Sequence, residues 1–179
     1  METHNNNSEV ADRFGAVAQE FCSAVESASK VDRTRLLTEI YRLLPRLIGQ
    51  AISLPNIETS DESDATQGEE QSPSLPRARM TDEQWRQLYD LLKEKLADWD
   101  LYWQVFNPTT DREADCGSLA DDLADIYRDL KEGLVLNDKH LARPEDVIWE
   151  WRLLYYSHWG KHAIDALLTV HFRLQGVMG

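Results

Sequence analysis

The chain has 179 residues, enough for one domain with a substantial core and room for an unstructured insert. Its 19 basic and 32 acidic residues give a formal charge of −13, a poor match to nucleic acid or an anionic membrane, which select Lys/Arg-rich surfaces. Cys22 and Cys116 lie far apart with no C-x-x-C, so neither a disulfide framework nor a Cys-rich zinc site is encoded.

The start, METHNNNS, lacks the basic and apolar regions of a secretory signal. No apolar run approaches the ~18 residues of a membrane span, so a soluble cytoplasmic protein with reduced thiols is expected. Leu, Ala, Glu, Asp and Arg are abundant and Gly is scarce, a helix-forming mixture. A first helix is predicted over 8–27, where Val10, Phe14, Val17, Phe21 and Val25 share one stripe. A second begins near Asp32, a plausible N-cap, and carries a wide stripe from Leu36 to Ile52, which suits a central position. Pro45 should distort it locally, because proline removes a backbone donor and crowds the preceding turn.

Residues 56–79 change character. Ser, Pro, Gln and acidic residues take over, and only Ile57 and Leu75 are large and apolar. Nothing there offsets the entropy of ordering the segment, so an internal flexible acidic linker is expected within one domain spanning 1–179. Thr81-Asp-Glu-Gln84 is a capping-box pattern opening a third helix. An aromatic patch (Trp99, Tyr102, Trp103, Phe106) follows, and then a polar loop over 109–117. A fourth helix is predicted from Ser118 to Gly133, and a last one from Pro144, well placed at N1, toward Gly176. The expected fold is all-α, an up-and-down bundle of four to five long helices.

No G-x-G-x-x-G, phosphate loop, G-x-S-x-G or H-E-x-x-H is present. One constellation stands out. At 100° per residue, His158, His162 and Asp165 fall within a sector about 60° wide, and two imidazoles four apart on a helix can hold one divalent metal. Gly160 between them is costly in a helix, roughly 1 kcal/mol against Ala, so a close neighbour or bound group is expected there. Asp122, Asp125 and Asp129 form a carboxylate stripe on the fourth helix, with Asp121 pointing further out. If the two helices pack together, mixed His/Asp ligation suits Mn, Fe or Zn. The bland alternative is a solvated acidic face beside Arg128 and Lys131, with the histidines in a structural polar network. The aromatic residues Trp103, Tyr127, Trp151, Tyr155 and Trp159 either fill the core or line a pocket or partner groove. Trp149 and Trp151, two apart, cannot face the same way on a helix, so one of them is expected near the surface.

The strings YWQVFNP (102–108), DDLADIYRDLKEGL (121–134) and WEWRLLYYSHWGKHAIDAL (149–167) resemble a bacterial family catalogued only as a domain of unknown function. The resemblance spans nearly the whole chain and implies a cytosolic all-helical bundle. It brings no reaction, ligand or cofactor. Its motif positions fall on Asp122, Asp125, Tyr127, Asp129, Trp151, His158, Trp159, Gly160, His162 and Asp165, without assigned roles. The leading functional expectation is binding of a protein partner or small ligand. The alternative is a metal-dependent hydrolase, with His158, His162 and Asp165 as ligands and Asp122, Asp125 and Asp129 as further ligands or a general base.

Overall fold

A computed structural model describes residues 2–57 and 80–178; the expected acidic linker lies almost wholly outside the described residues. Among these residues, six α-helices and one two-stranded sheet follow in order: α1 (Glu2–Glu26), α2 (Arg33–Ile52), α3 (Asp82–Leu96), β1 (Leu101–Gln104), β2 (Asp115–Ser118), α4 (Leu119–Asp138), α5 (Pro144–Leu154) and α6 (Gly160–Met178). The architecture is all-α apart from that small sheet. No described helix is long and apolar enough to cross a membrane.

Local chemistry explains the helix starts. Asp32 accepts from the Arg35 amide at 2.9 Å. Thr81 and Gln84 close the reciprocal capping box, with the Gln84 amide donating to Thr81 Oγ1 at 3.2 Å and the Thr81 amide to Gln84 Oε1 at 2.9 Å. Pro144 sits in the first turn of α5. The α2 helix runs through Pro45 as one element.

The α4 helix is the hub, packing on α1, α3, α5 and α6. Small residues permit this: Ala120, Ala124 and Gly133 are all buried. A Cβ on Gly133 would sit 2.1 Å from Trp151 Nε1, so this glycine is a contact point between α4 and α5, not the helix terminator expected from sequence. Backbone bonding accordingly continues to Asp138. Trp151 is fully buried and packs on Phe14 of α1, with ring centroids 4.8 Å apart, while Trp149 is half-buried.

Two further expectations are corrected. The stretch expected as aromatic patch and polar loop contains the antiparallel β1–β2 pair, with Tyr102 opposite Gly117. A Cβ at Gly117 would lie 2.5 Å from the Tyr102 ring, so the hairpin closes only over glycine. The last helix is not uniform: Tyr155–Trp159 forms a π turn between α5 and α6. The Gly160 amide closes it on the Tyr155 carbonyl. A Cβ on Gly160 would stand 2.2 Å from that oxygen, which is the close neighbour its mid-helix cost called for.

Candidate metal centre

The π turn and the start of α6 lie against α4, and the two imidazoles meet the carboxylate stripe there. His158 Nδ1 is 2.6 Å from Asp129 Oδ2, and His162 Nδ1 is 2.8 Å from Asp122 Oδ1. An ionised carboxylate can only accept, so in each pair Nδ1 carries the hydrogen. Nε2 of each ring then faces the other way, and it offers a lone pair whenever the ring carries no second proton. Both point toward one atom, Asp125 Oδ2, which is 3.8 Å from His158 Nε2 and 3.6 Å from His162 Nε2.

Asp125 is held so that this oxygen stays available. Its other oxygen, Oδ1, accepts from Trp85 Nε1 at 2.8 Å and faces the Arg128 guanidinium at 2.8 Å. Trp85 comes from α3, forty positions away in sequence, and stacks on Tyr89. Asp122 is shared likewise: Tyr102 of β1 donates to its Oδ2 at 2.6 Å. The carboxylates are nearly out of solvent, whereas the His158 side chain keeps 36% exposure. The three ligand atoms of Asp125, His158 and His162 lie within 4.8 Å of one another. Asp121, Asp122 and His162 form a second such group.

The electrostatics fit this crowding. Burial raises Asp122 above the usual carboxylate range, against hydrogen bonds from His162 and Tyr102 that lower it. Burial and the neighbouring Asp125 charge raise Asp121. For His162, burial disfavours the imidazolium, but the Asp122 hydrogen bond and the charges of Asp122, Asp125 and Asp121 outweigh it, so its pKa is raised.

Five of the six candidate ligands therefore come together: His158, His162, Asp122, Asp125 and Asp129. Asp165 does not. It forms a very short contact with the Lys161 ammonium one turn back, and Lys161 also donates to Gln104 Oε1 at 2.9 Å. At the edge of the histidine sector, its i, i+4 cation claims it. Of the aromatic candidates, Trp103 and Tyr155 line a groove on the far side of α6. Trp151 and Trp159 are fully buried in the core, and the Tyr127 hydroxyl donates to Glu26 at 2.8 Å. Trp85 and Tyr102, which hold Asp125 and Asp122, escape sequence reasoning because their contacts are long-range.

The family described as Domain of unknown function (DUF5063) matches residues 5–175. No curated protein matches significantly. A crystal structure of protein BF1032 from Bacteroides fragilis is similar, with a TM-score of 0.69 at 24% identity over 88% of this chain and 87% of that one, which shows the shared fold. The chain belongs to the DUF5063 family.

Proposed function

We propose that the protein holds one divalent transition metal between His158 Nε2, His162 Nε2 and Asp125 Oδ2, and that this centre serves metal-dependent hydrolysis. The supporting observation is the convergence of three acceptor atoms on one gap, with the outward nitrogen of each ring fixed by its own carboxylate. Lone pairs facing one another repel unless a cation or extra protons fill the gap, and a carboxylate behind each imidazole is the usual arrangement around a metal. Ligand atoms about 2.0–2.1 Å from a tetrahedral ion stand roughly 3.4 Å apart; the two separations from Asp125 are 3.6 and 3.8 Å, and all three atoms lie within 4.8 Å of one another, so an ion would draw them inward.

Two histidines and one carboxylate leave coordination positions open, a set that suits Zn, Fe or Mn. The exposed edge of His158 gives that open side access to water. Such an ion supplies Lewis acidity toward a phosphate or amide bond. Asp129 and Asp122 orient the rings, and Trp85 with Arg128 keeps Asp125 turned inward.

Elemental analysis of the untagged protein, purified without chelator, is compared with His162→Ala and Asp125→Asn. Near-stoichiometric metal in the parent that is lost in both variants is expected, together with a hydrolytic activity, found by phosphatase and nuclease screening, that falls in parallel. A parent without metal, and without a thermal shift on adding Zn, Mn or Fe, overturns the reading. A second reading, binding of a small ligand or protein partner, draws on the exposed aromatic residues beyond α6.

A further inference from the structure

The outer face of α6 is apolar, and none of the described residues covers it. Ile164, Leu168 and Phe172, spaced four apart, are 53%, 58% and 62% exposed. Across from them stand Trp103 of β1 and Phe106 of the following loop, at 76% and 65%. Together they wall a groove of about 1270 Å³, somewhat larger than the roughly 300–1,000 Å³ usual for small-ligand sites. Leaving large side chains in water in this way forgoes about 1.5–3 kcal/mol of burial for each, and contiguous exposure of this kind marks a binding surface.

The charges in the groove say which ligand. Four charged residues line it: Asp98, Lys161, Asp165 and Arg173. Asp98 is taken by Arg33 at 2.5 Å, and Asp165 and Lys161 pair with each other. That leaves Arg173, whose guanidinium donates to the Leu101 carbonyl at 2.7 Å and pairs with no carboxylate among the described residues. On a protein of charge −13, an apolar groove thus keeps one guanidinium that holds no carboxylate in direct contact, although Asp98 lies within its field. A guanidinium beside apolar walls matches a carboxylate head on an apolar body, since Arg–carboxylate contacts gain strength where water is thinned.

We propose that this groove binds a small amphipathic carboxylate, with Arg173 on the head group and Trp103, Phe106, Leu168 and Phe172 on the apolar tail. None of the three proposed metal ligands lines this groove, and dodecanoate binding requires no metal, although Tyr102 lines the groove and also donates to Asp122. Dodecanoate, dodecanol and dodecyltrimethylammonium share one tail and differ in head. Each is titrated below its micelle concentration into the full chain, followed by calorimetry and tryptophan fluorescence. Dodecanoate should bind saturably at one per chain and at least tenfold more tightly than the other two. Arg173→Gln should erase that preference while retaining tail binding, and Trp103→Ala, at an exposed position, should weaken binding without changing the preference. Equal binding of dodecanol, tighter binding of the cation, or no saturable binding at all overturns the proposal. So does light scattering that shows a dimer dissociated by Leu168→Glu, because a second copy then occupies the groove.

Discussion

Toward α4, the π turn and α6 present two imidazoles to three carboxylates almost out of solvent. Toward water, the same helix presents Ile164, Leu168 and Phe172. The helix also buries an ordinary apolar stripe, Ala163, Ala166, Val170 and Leu174, so the exposed residues are a second apolar face beyond the one a surface helix usually carries. On the buried side, every one of the three aspartates has a named donor: Tyr102 for Asp122, Trp85 and Arg128 for Asp125, His158 for Asp129. On the exposed side, the apolar groups have no covering neighbour among the described residues. The three carboxylates of the inner face are thus partnered, with one gap between acceptors, and the outer face stands open among the described residues.

The contrast can be broken most severely at Asp122. Asp122→Ala strands the Tyr102 hydroxyl and the His162 ring together, and a loss of about 3 kcal/mol is expected, near 10 °C in Tm. Calorimetric melting of metal-free protein checks it. A smaller effect is expected at Trp85. Trp85→Phe keeps the stack on Tyr89 but removes the donor that turns Asp125 inward, so affinity for Co or Zn should fall about tenfold, read by competition with a chromophoric chelator.

The pH response sharpens the same comparison. The folded pKa of His162 lies above its ordinary value of 6.5. A base with a raised folded pKa lends stability that is full below the unfolded value and is lost as pH rises through the folded one. In chelator, Tm should therefore fall from pH 6.5 upward more steeply for the parent than for His162→Gln; identical slopes would remove the proposed Asp122–His162 coupling. The smallest change is expected on the outer face. Leu168→Gln, at a position 58% exposed, should alter stability by no more than about 0.5 kcal/mol, and a large loss in a denaturant titration would show the groove to be part of the core.

The sequence makes much of this bundle legible because helix periodicity is local. The stripe from Leu36 to Leu47 is buried as its spacing requires, and the Thr81 box closes. The histidines and the Asp122, Asp125 and Asp129 stripe can be paired on paper because each set repeats on one helical face. Asp165 shows the limit of that geometry: an angular sector ignores the cation one turn away, and Lys161 takes the carboxylate. The β1–β2 pair is hidden for a different reason. Four residues a side give almost no alternation, and its closure depends on Tyr102 lying over Gly117 fifteen positions on. Trp85 is further still, since nothing in a single helix says that its indole reaches Asp125 of another.

The π turn has a genetic consequence. A π turn amounts to a helix carrying one surplus residue that is absorbed locally, so deleting a single codon within 155–159 would restore a plain α-helix with α6 still facing as it does. The change falls on the turn itself, where His158 sits. One in-frame deletion there should thus lower metal uptake while dodecanoate binding persists, and circular dichroism should still report the full helix content.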